Sequence, residues 1–352
     1  MADPRAMLPG PPALDAPGPQ EPVIAGDAAL VVYGRLDDEL FACVRRGAQW
    51  QVLRHLARAS DLAPALRQMR FQLDTLRHGT VPVQRHLAVL TDRIGHCLRR
   101  LHALVWAALV PAVGDAARVL IVPTAELAAL PFAALDDGQQ VLSQRHELAL
   151  AGSLEVAWRG LATAAPAPRQ VRAWGDSTRL PQAAAEARKV AASFPHGRAY
   201  VGPEATVETL LQQAGRADLL HLACHAEFRS DNPMFSALHL ADTALTVEAV
   251  ERLSLNRATV VLSGCETGLA DHAAGDEMFG LVRAFITAGA ARVLASLWPV
   301  DDAVAAAFMS RLYAAWRGGC GLAQALQRAQ EQTRRTHPHP YYWAAFVLHG
   351  GW

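Results

Sequence analysis

The chain has 352 residues, 51% of them apolar and 19% charged, which is enough for one large or two ordinary globular domains. Basic and acidic side chains balance at 33 each, so the basic excess expected of a nucleic-acid binder is absent, and no apolar run reaches the ~18 residues that cross a membrane. The cysteines Cys43, Cys97, Cys224, Cys265 and Cys320 are scattered, with no CxxC pair and no secretory leader ahead of them, which excludes a disulfide framework and predicts a reducing, cytoplasmic setting.

Residues 1–27 hold seven prolines and little periodicity, as in a disordered tail. A strand is predicted from Ala28 to Tyr33. Leu66, Met69, Leu73 and Leu76, then Leu87, Leu90, Ile94, Cys97, Leu101 and Leu104, recur at helical spacing and predict core-facing helices over 52–77 and 84–109. Gly79 and Pro82 break the chain between them. Strands follow at Arg118–Val122 and near Glu147–Ala151, and the Pro/Ala-rich stretch 162–168 marks a boundary between a half at 28–165 and a half at 169–352. Beyond it strands at 171–175, 198–201, 217–224, 258–263 and 291–297 alternate with helices at 182–194, 206–214 and 277–288. An extended excursion lies at 236–247, two helices cover 301–336, and a last strand falls near 342–348. Such alternation builds βαβ units around a mainly parallel sheet with helices on both faces. No repeat of 20–50 residues is present, so the chain carries no tetratricopeptide array.

Two of these strands run directly into reactive residues. Ala217–Cys224 ends at His225 and a polar stretch; Ala258–Gly264 ends at Cys265 and Glu266. Ligands of open α/β sheets bind in the crevice beyond the carboxyl ends of the strands, so a base and a thiol are brought to one place. The pair His221 and Cys224 invites a metal reading, but strand alternation puts Cys224 on the opposite face from His221 and His225. No metal and no cofactor is expected.

The segment His221-Leu222-Ala223-Cys224-His225-Ala226-Glu227-Phe228 resembles the histidine motif of CHAT domains, caspase-like cysteine peptidases related to separase. Leu262-Ser263-Gly264-Cys265-Glu266-Thr267-Gly268 is similar to their cysteine motif. Further matches run from Val122-Pro123, Leu130-Pro131-Phe132, Ser153 and Glu186 through Gly275-Asp276-Glu277, Ser296-Leu297-Trp298 and Asp301-Asp302 to His339–Phe346, so the resemblance covers roughly residues 28 to 352. It implies a caspase-like three-layer α/β/α sandwich with a mainly parallel sheet, preceded by a smaller, helix-rich, pseudo-protease-like half. It also implies a cysteine endopeptidase in which Cys265 attacks a peptide carbonyl and His225 moves the proton. The backbone N–H groups of Ala226 and Cys265 then form the oxyanion hole. The family usually carries Gly where this chain has Ala226. Ala keeps the N–H, but a positive φ there would strain it. Asp302 stands where separase binds a basic P1 side chain, although Asp also suits a helix N-cap. Ser263 and Gly264 are further substrate-side candidates, Gly264 through close backbone approach. Leu269–Ala274 reads as a lid. Partners would be a protein substrate and an activating protein, in a bacterial defence or cell-death pathway, with neither nucleic acid nor membrane involved. The competing reading is a catalytically silent caspase-like module used for docking or regulation.

Overall fold

The computed structural model describes residues 24–76, 85–161, 167–178, 180–227, 236–264 and 274–352, with the side chains of the last stretch described from 280 onward. The chain opens with an antiparallel meander of β1 (Ala28–Leu36), β2 (Glu39–Arg46) and β3 (Gln49–Arg58), turned at Asp37 and Gly47, both with positive φ. Then come α1 (Ala59–Asp74), α2 (Leu87–Val105), α3 (Val110–Val113), β4 (Arg118–Val122), α4 (Leu142–Arg145), β5 (Glu147–Leu150) and α5 (Leu154–Leu161). The next stretch is β6 (Gln170–Gly175), α6 (Ala183–Ala192), β7 (His196–Val201), α7 (Val207–Gln213) and β8 (Leu219–Ala223). After it lie β9 (Ala226–Glu227), β10 (Ala237–His239), β11 (Ala244–Thr246), α8 (Val247–Glu251), β12 (Thr259–Leu262) and α9 (Ala274–Thr287). The chain closes with β13 (Arg292–Ser296), α10 (Asp302–Arg317), α11 (Leu322–Thr336), α12 (Pro340–Trp343) and β14 (Phe346–His349).

The helix predicted over 52–77 starts too early. Residues 49–58 are an edge strand, and α1 begins only at Ala59. The cause is physical. β2 buries Leu40, Ala42 and Val44 in strict alternation, whereas β3 has one neighbour and little cover, so most of its side chains are exposed and no period of two is imposed on them.

Eleven strands form one sheet in the order β3-β2-β1-β4-β5-β14-β13-β12-β8-β6-β7. Strands β1, β4, β5 and β14 are mutually parallel, as are β13, β12, β8, β6 and β7. The two sets meet at β14, which runs antiparallel to β13, so their carboxyl ends lie at opposite edges of the sheet. The last strand of the chain is therefore the seam between an early and a late flank. His349 lies buried in that seam, where desolvation lowers its pKa to about 4 and keeps it neutral at neutral pH.

Side-chain alternation fixes the layers. Ala29, Val31 and Tyr33 of β1 pack on the apolar stripe of α2 (Ile94, Cys97, Leu98, Leu101, Val105), while Ala28 and Leu30 share a core with Phe308, Leu312 and Leu326 of α10 and α11. On the late flank Leu220, Leu222 and Cys224 face a core with Leu281 and Phe285 of α9, and Leu219 and Val261 face the α10–α11 side. The result is helix, sheet and helix in three layers.

Candidate active site

β8 and β12 are parallel neighbours, with Leu222 opposite Leu262, and the ladder continues through Ser263 N–H to Leu222 O at 3.1 Å. By this register Cys224 stands beside Gly264. A Cβ on Gly264 would lie 2.5 Å from Cys224 O, 2.8 Å from Cys224 N and 2.5 Å from Cδ1 of Leu180, so only glycine fits between the end of β8 and the segment ahead of α6. The close approach at Gly264 is thus to Cys224 and Leu180 of the chain itself. Cys265 lies outside the described residues, as do Phe228 and residues 269–273 of the predicted lid.

β8 ends at Ala223, and the backbone turns through Cys224 and His225 into a second, three-stranded sheet of order β11-β10-β9. Cys224 is buried among the α9-side residues. His225 is 6% exposed; its carbonyl accepts the N–H of His239 at 2.8 Å, and the two rings lie 5.4 Å apart between centroids. Since His225 and His239 stand directly opposite and are hydrogen-bonded, the next pair, Ala226 with Leu238, is a non-hydrogen-bonded one. The N–H of Ala226 therefore points away from β10, along the outer edge of β9. Ala226 is fully buried, lies in a strand and has no positive φ, so the alanine carries none of the strain that a left-handed conformation would impose.

Ser263 turns away from this edge. Its Oγ lies 3.4 Å from Nε2 of His221, in a buried polar cluster that sequence reasoning missed. His221, fully buried in the middle of β8, has Nε2 2.9 Å from Oε1 of Glu186 on α6 and Nδ1 2.9 Å from the hydroxyl of Tyr313 on α10. Burial, with the charge of Glu186 added, raises the Tyr313 pKa well above that of an ordinary phenol. A histidine in the centre of an otherwise apolar strand was the available signal, because it needs a buried partner.

Asp301 and Asp302 divide two roles between them. Asp301 is the N-cap of α10, its Oδ1 accepting the N–H groups of Ala303 at 3.0 Å and Val304 at 3.1 Å. Asp302, half-buried, accepts the N–H of Gln182 at 2.8 Å, two residues from the Leu180 that touches Gly264. Burial raises the Asp302 pKa, the Gln182 bond opposes this, and the charges of Glu186 and Asp301 add to the rise. At the end of β6, Asp176 donates its N–H to Ala223 O at 3.0 Å, and its carboxylate accepts from the N–H and hydroxyl of Thr178. Among the described residues no group of three or more His, Cys, Asp and Glu is disposed to hold a metal ion. No described helix is long and apolar enough to cross a membrane.

A mainly parallel sheet between two helix layers, with β8 and β12 closing onto each other at Cys224 and Gly264, has a caspase-like fold. The CHAT domain model matches residues 95–351, and the chain belongs to that family. It is similar to Tetratricopeptide repeat protein 28 of Homo sapiens (35% identical over 113 residues, 32% of this chain and 4% of that protein). The Mus musculus protein of the same name is 27% identical over 190 residues, 43% of this chain and 8% of its own length. The chain thus spans only a small part of these relatives. Among solved structures, separase in the Saccharomyces cerevisiae separase-securin complex superposes with a TM-score of 0.65 at 10% identity, over 92% of this chain and 30% of that one. The Arg-specific cysteine proteinase gingipain R gives 0.50 at 12% identity, over 74% and 67%. Both show the shared fold.

Proposed function

We propose that the chain is a cysteine endopeptidase that cuts a partner protein through His225 and Cys265, within a bacterial defence or cell-death pathway. The observation that carries this reading is the join of Gly264 to Cys224. It holds two strand ends in backbone contact, and the very next residues are the thiol and the imidazole. In this reading the Cys265 thiolate attacks the scissile carbonyl and His225 protonates the departing amine, leaving a thioester that water hydrolyses with His225 as base. The outward N–H of Ala226 and the N–H of Cys265 bind the oxyanion, each donor contributing about 3–4 kcal/mol to the transition state. Asp302, freed from capping by Asp301, would receive an Arg or Lys side chain at P1 through a charge-assisted hydrogen bond.

The test is the alkylation rate of Cys265 by iodoacetamide, followed by mass spectrometry, with cleavage of a proteome-derived peptide library measured alongside. Cys265 should react faster than the other four cysteines, His225→Ala should slow it roughly a hundredfold, and library cleavage should vanish in Cys265→Ala. A Cys265 that reacts like an ordinary thiol whether or not His225 is present, with no cleavage, would instead identify a silent docking module.

A further inference from the structure

Beyond the dyad, one polar arrangement lies on the same face of the small sheet. His225 just ahead of β9, Glu227 in β9 and His239 in β10 occupy neighbouring positions, and their exposure rises outward. His225 is 6% exposed, while the side chains of His239 and Glu227 are 29% and 45% exposed. The His239 ring lies 5.4 Å from that of His225, tilted by 34°, within the range of a favourable offset aromatic contact. Its Nε2 is 3.1 Å from Oε2 of Glu227, which fixes the outer ring in turn. His225 stands where the chain leaves one sheet for another, and His239, the more exposed of the two, stands directly opposite it.

We propose that His239, held by Glu227, is a positioning residue that sets the ring orientation of His225 for proton transfer with Cys265. The inference rests on the dyad reading. A general base must sit within about 0.5 Å and 10–20° of its working geometry, which a two-torsion side chain does not achieve without a packed neighbour. Glu227, at 3.1 Å from Nε2, holds the His239 ring from the outer side.

The experiment measures the second-order rate of Cys265 alkylation in the full chain. Wild type is compared with His225→Ala, His239→Ala, His239→Phe and Glu227→Ala, with a thermal melt on each. His239→Ala should lower the rate roughly tenfold without lowering the melting temperature, the order expected when a reacting group leaves its aligned geometry. His239→Phe, which keeps the ring contact, should restore the rate to within about twofold of wild type, and Glu227→Ala should fall between the two. Wild-type rates in His239→Ala while His225→Ala is slow would overturn the proposal and leave the dyad standing. A Phe variant as slow as the Ala variant would also overturn it, because ring contact would then not be the cause. Equal rates in wild type and His225→Ala would remove the dyad itself, and the role of His239 with it.

Discussion

The two flanks of the sheet repeat one local device with different outcomes. On the late flank Ser263 N–H bonds Leu222 O at 3.1 Å; on the early flank Ala151 N–H bonds Ile121 O at 2.8 Å, again across adjacent parallel strands. Counting outward from these bonds, Gly264 corresponds to Gly152, Cys265 to Ser153 and His225 to Thr124. Ser153 uses its hydroxyl to accept Val156 N–H at 3.2 Å, starting α5, and nothing lies within 4 Å of a Cβ placed on Gly152. At Gly264 the backbone of Cys224 fills that space. Parallel register alone therefore does not close the strand ends onto each other; at Gly264 they do close, and under the proposed function that closure sets the imidazole beside the thiol.

Buried polarity separates the flanks most sharply. By the same count His221 corresponds to Leu120, which is fully buried in an apolar core. His221→Leu would make the late flank resemble the early one while leaving Glu186 and the Tyr313 hydroxyl buried without the imidazole between them, and should cost about 1–3 kcal/mol. Adding Glu186→Leu should recover most of that loss, since replacing both partners of a buried polar contact by apolar groups of similar shape is nearly neutral. Tyr33→Phe on the early flank, which loses one bond to Val105 O at 2.8 Å, should cost only about 1 kcal/mol. Urea unfolding of the four proteins checks the order, and a His221→Leu variant as stable as wild type would show that the cluster adds no net stability.

The strand ends give the second contrast. Gly264→Ala drives a methyl group into backbone atoms that no rotamer change can move, so about 1–3 kcal/mol should be lost together with the rapid alkylation of Cys265. Gly152→Ala meets open space and should change neither. Comparable effects at both glycines would mean that chain entropy, and not the contact with Cys224, governs these positions.

Where the chain announced itself follows the same division. Strands β8 and β12 were legible because they are buried on both faces and run as continuous apolar segments into polar ones, and the alternation after 169 fixed the parallel topology. The edge strand β3 was not legible, because exposure on both faces erased its period. Nor were the partners of the site. His221 with Glu186 and Tyr313, and His225 with His239, are pairs separated by 12 or more residues, which no local pattern in one sequence reports. The start of α10 shows the limit of local reading most closely, since the sequence offered the cap at Asp302 and the structure puts it one residue earlier, at Asp301.

Those two aspartates also carry the smallest predicted effect. Asp301 accepts two N–H groups at the start of α10, so Asp301→Ala should cost about 1 kcal/mol of stability and lower cleavage of all peptides alike, through the folded fraction only. Asp302 makes one bond, to the N–H of Gln182, which an asparagine oxygen can still accept. Asp302→Asn should therefore leave stability within about 0.5 kcal/mol of wild type while removing the negative charge offered to a P1 side chain. If the pocket reading holds, kcat/KM falls selectively for peptides with Arg at P1 and stays near wild type for matched Met and Asp peptides, because only the guanidinium gains a charge-assisted bond. Parallel losses across the three peptides would return Asp302 to a purely structural role, tying the start of α10 to the start of α6.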